Sequence, residues 1–137
     1  MSRINPNTNH PDYIRYIFLD IVAIFRNNAT MKQVFNMHAE VCKTLANPKR
    51  LEIIYALKEG ELSVGELVKK LGITKANISQ HLAILRQRRV LVSRREGVNI
   101  YYRISNPKIV KACALMREVL TEQLMEEGRV VKKAKGI

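Results

Sequence analysis

The chain has 137 residues, 47% of them hydrophobic, which is enough for about one domain with a core and argues against wholesale disorder. Lysine and arginine number 24 against 12 acidic residues, and the net charge of +12 points to nucleic acid or an anionic membrane as a partner. The two cysteines form neither a CxxC pair nor a secreted disulfide framework, so a cytoplasmic location is expected.

The N-terminal region is predicted to be a loose leader, Met1 to Pro11, followed by an amphipathic helix from about Asp12 to Asn27. The apolar run from Tyr13 to Phe25 is shorter than the roughly 20 residues of a membrane span, and Arg15 and Asp20 interrupt it. We therefore predict a soluble helix whose apolar face needs a partner surface.

Two further helices are predicted next. One runs from about Met31 to Ala46, with apolar side chains at helical spacing. The other has Asn47 as its cap and Pro48 in its first position, and Gly60 is expected to end it. Its inward side chains are expected to be Leu51, Ile54, Tyr55 and Leu57.

The sequence SVGELVKKLG has Ser63 and Glu66 in capping-box spacing and ends at Gly72. Thr74 can cap another helix almost at once. Two short helices joined by so tight a glycine-containing turn are typical of a helix-turn-helix, in which the second helix contacts DNA.

The helix within TKANISQHLAILRQRR, Thr74 to Arg89, has two different sides. Ile78, Leu82 and Leu85 are expected to face the core, while alanine and amide side chains face outward, where Gln and Asn can bond base edges. The cations flank this outer side, as phosphates flank a DNA groove, and they are Lys75, His81, Arg86 and Arg88. For His81, a capping or core-edge role is an equal alternative to a phosphate contact.

Two β-rich runs, Val90 to Ser93 and Asn99 to Ser105, flank a glycine-containing turn and predict a hairpin. Arg94 and Arg95 are expected at its tip, where arginines can follow the DNA backbone or enter the minor groove. A charged, exposed hairpin without a ligand is the plain alternative.

Ser105 or Asn106 is expected to cap a last helix with Pro107 in its first turn. The residues from Gly128 onward are predicted to form a basic tail. The apolar stripe of the last helix is expected to consist of Ile109, Ala112, Cys113, Met116, Leu120 and Leu124.

From Leu45 to Ile104 the chain resembles the winged helix-turn-helix of the ArsR/SmtB family of repressors, through the motifs LANPKRLEII, ELSVGEL, ISQHLAILR and GVNIYYRIS in that order. The resemblance implies a homodimer, built largely by the first and last helices, that binds an operator of dyad symmetry and releases it when an inducer binds. It also implies DNA contacts by the second helix of the motif and by the hairpin wing, at Lys75, Ala76, Asn77, Ser79, Gln80, Arg94 and Arg95.

The sequence departs from the metal-sensing members of that family. They carry cysteines in the motif that here reads ELSVGEL, and Ser63 and Gly65 cannot replace a thiolate. The last helix has no histidine for a zinc site, so we expect neither metal nor cofactor. A thiol sensor formed by Cys42, Cys113 and His38 at the dimer seam is one hypothesis, and ordinary packing of these side chains is the simpler one.

These patterns predict a mainly α fold with a β-hairpin wing and an extra N-terminal helix. The expected divisions are residues 1–30 as an extension with an amphipathic helix, 31–126 as the DNA-binding and dimerisation domain, and 127–137 as the basic tail. The extension either packs in the dimer, or lies on a membrane surface, or reflects a start assigned upstream of Met31.

The expected function is that of a cytoplasmic, sequence-specific DNA-binding transcriptional regulator, with the helix of about 74–88 in the major groove and the wing of about 90–104 on the flanking backbone. No catalytic constellation competes, because the chain lacks a phosphate-binding glycine loop and a nucleophile with a placed base. The alternatives are a winged-helix module that binds proteins and a regulator tethered to the membrane by its N-terminal helix.

Overall fold

The computed structural model describes Arg15, residues 18–23 and residues 28–128. The chain divides into two compact units, Met1–Glu40 and Val41–Ile137. In the first unit, residues 18–23 are helical, which agrees with the predicted N-terminal helix. The predicted leader, the remainder of that helix and the basic tail beyond residue 128 lie outside the described residues, and the predicted divisions at residues 30 and 127 stay predictions.

Helix α1, Asn28–Leu45, begins in the first unit and ends in the second. It starts at Asn28 rather than at about Met31, and Asn28, Ala29 and Thr30 already belong to the helix. Val34, Phe35 and Met37 are exposed on it.

The second unit has a mainly α fold with a small antiparallel sheet, as predicted. The strand order in the sheet is β1-β3-β2, and β1 is a two-residue strand that the sequence analysis missed because two residues are too few to show alternation. The elements that follow α1 are α2 (Pro48–Ala56), β1 (Leu62–Ser63), α3 (Val64–Leu71), α4 (Lys75–Gln87), β2 (Leu91–Glu96), β3 (Asn99–Ile104) and α5 (Pro107–Glu126).

One hydrophobic core lies between helices α2, α3 and α4 and the hairpin. Burying each large aliphatic side chain of such a core stabilises the fold by about 1.5–3 kcal/mol. Helix α5 joins it only through the half-buried Ile109, Val110 and Cys113. The buried side chains are Ile53, Ile54, Ala56, Leu57, Leu67, Ile78, Leu82, Leu85, Val90, Leu91 and Tyr102.

Helix α2 begins as predicted but buries a different side. The side chain of Asn47 accepts hydrogen bonds from the amides of Lys49 (2.9 Å) and Arg50 (3.2 Å), which confirms the cap. The prediction that Leu51 and Tyr55 face inward is wrong, because they are 37% and 50% exposed. At about 100° per residue they lie opposite the buried Ile53 and Leu57, and the guanidinium of Arg117 in α5 lies 5.0 Å from the ring of Tyr55 instead.

The end of α2 also differs from the prediction. The helix ends at Ala56 and is capped by Leu57, whose amide donates to the carbonyls of Ile53 and Tyr55. Gly60, expected to be the left-handed stop, lies in the following loop with φ +148°. The glycine there serves the turn toward β1 and does not cap the helix.

The turn between α3 and α4 matches the prediction in each of its local signals. The Glu66 amide donates to Ser63 Oγ (3.2 Å) and the Ser63 amide donates to Glu66 Oε2 (2.7 Å), which completes the capping box. Gly72 ends α3 in the left-handed region with φ +63°, and the hydroxyl of Thr74 accepts from the Asn77 amide (3.3 Å) to cap α4. The two helices therefore form the helix-turn-helix.

The hairpin is longer than predicted on its first strand. β2 continues through Arg94 and Arg95 to Glu96, which pairs with Asn99 across a two-residue turn. Gly97 takes φ +61° there, at the position where type II′ turns carry glycine. Asn106 caps α5 through the Lys108 amide (3.0 Å), which decides between the two predicted caps.

We expect two glycine substitutions in the helix-turn-helix to change stability in opposite directions. Gly72→Ala should lower the free energy of unfolding by about 1–2 kcal/mol, because a Cβ is unfavourable in the left-handed region. Gly65→Ala should raise it by about 0.5–1 kcal/mol, because Gly65 is helical and the new Cβ would meet only Ser63 Oγ, at 3.9 Å. Urea unfolding of both variants checks this, and destabilisation by Gly65→Ala would contradict it.

Candidate nucleic-acid interface

Helix α4 presents one apolar and one polar side. Ile78, Leu82 and Leu85 are 0% exposed and lock the inner side against the core. Their burial fixes the rotation of the helix, because turning it would expose all three. The residues expected to face outward, Ala76, Gln80, Ala83 and Gln87, are all exposed, as predicted.

The first two turns of α4 carry the expected DNA-contacting residues. All of them are exposed, and the side chains of Ala76, Asn77 and Ser79 are short, so a surface can approach the helix backbone closely. The first turn carries no acidic residue. The N-terminal dipole of the helix therefore adds to the local positive potential. The residues that the structure brings together here are Lys75, Ala76, Asn77, Ser79 and Gln80.

His81 lies at the edge of the core, so the structure supports the core-edge alternative. Its Nδ1 accepts a hydrogen bond from Arg50 Nε (3.4 Å), while Arg50 Nη1 donates to the carbonyl of Thr44 (2.8 Å). Burial, and then the charge of Arg50, hold the pKa of His81 below its ordinary value of 6.5. The ring is therefore neutral at pH 7 and offers no positive charge to a phosphate. Arg50, which ties the end of α1 to α4, is a residue that sequence reasoning missed.

The far end of α4 meets the wing. Arg86 Nη1 donates to Ser93 Oγ (3.4 Å), which joins the last turn of the helix to β2. Arg88 is the exposed C-terminal cap of α4, and Arg89 follows it with φ +58°. The Val90 amide donates to the Leu85 carbonyl (2.9 Å), as in a Schellman motif. The end of α4 is therefore hydrogen-bonded to the residue that precedes β2, and no flexible loop separates the helix from the wing.

The two wing arginines do not lie at the tip of the hairpin, so that expectation is wrong. Arg94 pairs with Tyr101 and Arg95 pairs with Ile100, within the ladder, and the tip itself is Gly97 and Val98. Because side chains alternate along a strand, the two arginines point to opposite faces of the sheet. The sequence analysis treated them as equivalent, and the structure separates them.

The residues of the thiol-sensor hypothesis are dispersed over two helices. Cys42 on α1 is exposed and Cys113 on α5 is half-buried against the core, and both are free thiols. His38, on α1, is exposed. Within the described part of the chain, no three His, Cys, Asp or Glu side chains are grouped as metal ligands. The sensor hypothesis stays a prediction.

Helix α5 leaves a long apolar stripe uncovered. Its core contacts are made near its N-terminal end, at Ile109, Val110 and Cys113. Farther along, exposed large apolar side chains extend the predicted stripe over a broader side of the helix, and those on this side are Leu115, Met116, Val119, Leu120 and Leu124. The exposed Met125 lies on the other side of the helix. Single exposed hydrophobic residues are ordinary, but a contiguous stripe of this length marks an interaction surface.

The helix-turn-helix, the polar outer side of α4 and the hairpin beside it define the DNA-binding class of winged helix-turn-helix proteins. Residues 47–92 match the family described as bacterial regulatory protein, arsR family. The HTH-type transcriptional regulator Rv0081 of Mycobacterium tuberculosis is 37% identical over 100 residues, which cover 72% of this chain and 88% of that protein. The chain belongs to the ArsR family and is a DNA-binding transcriptional regulator.

Two solved structures and a second relative are similar to the chain. The crystal structure of Rv0081 aligns with a TM-score of 0.62 at 38% identity, covering 69% of this chain and 95% of that one. The solution structure of the homodimeric winged helix-turn-helix domain of Mb0332 from Mycobacterium bovis aligns with a TM-score of 0.61 at 32% identity, covering 68% and 86%. The biofilm growth-associated repressor of Xylella fastidiosa is 40% identical over 78 residues, which cover 57% of this chain and 68% of that protein.

Among the residues that the structure describes, no helix is both long enough and apolar enough to cross a membrane.

The lowered pKa of His81 gives a test of its structural role. His81 takes up a proton at higher pH in the unfolded chain than in the folded one. The stability that neutral His81 contributes is therefore fully present above about pH 6.5, and it is lost as the pH falls through the lower pKa of the folded state. We expect the free energy of unfolding to fall between pH 7.5 and 5.5 by more in the wild type than in His81→Gln, which keeps an acceptor for Arg50. Urea titrations at both pH values measure the difference, and equal losses in the two proteins would contradict the role.

Proposed function

We propose that the protein is a cytoplasmic homodimeric repressor that binds an operator of dyad symmetry and is released by an inducer. Helix α4 enters the major groove, and the wing follows the flanking backbone. The observation that carries the proposal is the outer side of α4, where exposed alanine and amide side chains lie above a fully buried aliphatic side. A relative of this chain, the biofilm growth-associated repressor, supports repression rather than activation.

The division of labour along α4 follows from side-chain chemistry. Asn77 and Gln80 can each form bidentate hydrogen bonds with an adenine edge, and Ser79 can bond to several bases. Ala76 allows the helix to approach the groove floor. Lys75 lies in the first turn, and the structure shows it in no ion pair with any residue that it describes, so its charge is available for a phosphate.

Base-contacting and phosphate-contacting residues should give different signatures. We expect Gln80→Ala to lose about 1–3 kcal/mol of discrimination at one base pair, because its bidentate bond is lost. Lys75→Gln should weaken binding to all sequences alike and reduce the slope of log K against log salt by about 1. Fluorescence anisotropy with operator fragments selected from the genome, at several salt concentrations, measures both quantities.

A matched control for these variants is Lys111→Gln, which removes one exposed cation from α5 and should leave the salt slope unchanged. If Lys75→Gln and Lys111→Gln behaved identically, α4 would not be the contact surface, and a module that binds proteins would be the better explanation.

The exposed stripe of α5 is the proposed dimer contact. An operator of dyad symmetry requires two copies of α4 related by a two-fold axis, and a self-complementary apolar surface supplies such an axis. Leu115, Met116 and Leu120 are each at least half exposed in the single chain, and a second copy would bury them. The solved domain of Mb0332, to which this chain is similar, is homodimeric.

A single charge on the stripe should separate the subunits. We expect Leu120→Glu to give a monomer at micromolar concentration, because a carboxylate buried in an apolar contact without a partner is strongly unfavourable. Its neighbour Thr121 points away from the stripe, so Thr121→Glu should leave the protein dimeric. Analytical ultracentrifugation distinguishes the two, and dimerisation of Leu120→Glu would place the interface elsewhere.

A further inference from the structure

We propose that Arg94 is not a DNA contact but a positioning residue, which orients the wing through an intramolecular clamp with Glu61 and Glu96, and that Arg95 is the wing cation that meets DNA. The inference rests on the proposed function and deepens it, because it assigns different roles to two arginines that are neighbours in the sequence.

The clamp holds the Arg94 guanidinium at two edges and on one face. Nε donates to both carboxylate oxygens of Glu61 (3.0 and 2.9 Å), and Nη2 donates to the same carboxylate. Nη1 donates to Glu96 Oε2 (2.7 Å), and the guanidinium carbon lies 4.5 Å from the centroid of the Tyr101 ring. The group is thus held by two carboxylates at its edges and by an aromatic ring on its face.

A single exposed ion pair contributes little to stability, but Arg94 makes several contacts at once. It combines a multiply hydrogen-bonded arginine and carboxylate, a second carboxylate and a cation–π contact, and such networks are the exposed ion pairs that do restrict geometry. The hydrogen bonds from Arg94, and then the charges of Arg94 and Arg103, hold the pKa of Glu61 below its ordinary value. Glu61 therefore stays ionised, and the clamp stays intact, across the neutral pH range.

The clamp joins the wing to the helix-turn-helix. Glu61 directly precedes β1, and β1 is followed at once by α3, whose cap is Ser63. Arg94 lies on β2, the far strand of the hairpin, so the ion pair spans β3 between the two. Backbone pairing between β1 and β3 involves only Leu62 and Ser63, and the side-chain clamp extends this short connection to the outer strand.

Strand alternation gives Arg95 the opposite face. That face also carries Ser93, which accepts the hydrogen bond from Arg86 of α4, so Arg95 lies on the side of the sheet that the DNA-reading helix shares. The structure shows Arg95 exposed and in no hydrogen bond or ion pair with the residues it describes. A phosphate can therefore bind the guanidinium of Arg95 without breaking a hydrogen bond or ion pair with the residues that the structure describes.

A phosphate contact by Arg94, in contrast, would disturb existing contacts. Nε, Nη1 and Nη2 are already hydrogen-bonded to the carboxylates, so a phosphate would compete with Glu61 and Glu96, and a carboxylate that it replaced would face the DNA with uncompensated negative charge. The described geometry favours the clamp, because the intramolecular carboxylates are already in place.

A double-mutant cycle distinguishes the two roles by the sign of one coupling. We would measure operator binding for Glu61→Gln, Arg94→Gln and the double variant by anisotropy at several salt concentrations. Removing the Glu61 charge favours DNA binding in either background, but with an intact Arg94 it also loosens the wing. We expect Glu61→Gln to improve affinity less in the wild-type background than in the Arg94→Gln background, by about two- to fivefold. A larger improvement in the wild-type background would mean that Glu61 competes with phosphate for Arg94, and would overturn the proposal.

The salt slope and the matched neighbour give a second criterion. We expect Arg95→Gln to lower the slope by about 1 and Arg94→Gln to leave it unchanged. A lowered slope for Arg94→Gln with an unchanged one for Arg95→Gln would reverse the assignment and overturn it.

Amide hydrogen exchange of the free protein tests the clamp without DNA. Arg94→Lys keeps the charge but not the fork of donors, so it should speed exchange in residues 94–101, as Glu61→Gln should, while Arg95→Gln should not. If the wild type bound no DNA specifically, the proposed function would fail, and this measurement alone would decide the clamp. Unchanged exchange in Arg94→Lys and Glu61→Gln would overturn it.

Discussion

Burial of the inner side of α4 is the constraint on which the rest of the interface depends. Three side chains, Ile78, Leu82 and Leu85, are completely enclosed, so the helix has one rotation about its axis. That rotation decides which side chains are exposed and at which spacing, and it places alanine and amides outward and cations at the flanks. A helix held only by polar contacts would present an average over several faces, and it could not read base edges in a fixed register.

The electrostatics of the unit are less uniform than its net charge suggests. Two carboxylates, Glu61 before β1 and Glu96 on the wing, form ion pairs with Arg94, and the neutral His81 accepts a hydrogen bond from Arg50. Some of the arginines therefore bind partners within the protein and orient its helices and strands, and only the others are available to phosphates. For this reason, counting arginines along the sequence does not show how many of them are free to bind a phosphate.

The proposed dimer and the proposed interface impose conditions on each other. In the proposed dimer, the stripe on α5 sets the distance and the two-fold symmetry between two copies of α4. Because each wing is joined to α4 by a short connection, the two wings are related by the same two-fold axis. The helix-turn-helix is locally rigid, because a capping box, a left-handed glycine and a threonine cap fix its turn. Adjustment to an operator would therefore arise between subunits more readily than within one.

The elements encoded by neighbouring residues could be predicted from the sequence. Caps at Asn47, Ser63 and Thr74, the stop at Gly72 and the inner side of α4 all depend on residues within one or two turns of each other, and the structure confirms them. The helix-turn-helix and the hairpin followed from these local signals, and the ArsR family was indicated by the resemblance of four motifs in their order. The inward side of α2 was misjudged at Leu51 and Tyr55, because a nine-residue helix with apolar residues on several sides does not reveal which side meets the core.

Tertiary structure alone decided what joins distant parts of the chain. Glu61 and Arg94 are separated by 33 residues, and Arg50 and His81 by 31, so neither pair leaves a periodic signal. Adjacent arginines look equivalent in a sequence, yet the pleat of the strand sends Arg94 to the carboxylates and Arg95 to the side shared with α4. The local sequence specified helix α4 and the polar side that it presents, while the pairing of β1, β2 and β3 specified how the wing beside it is held.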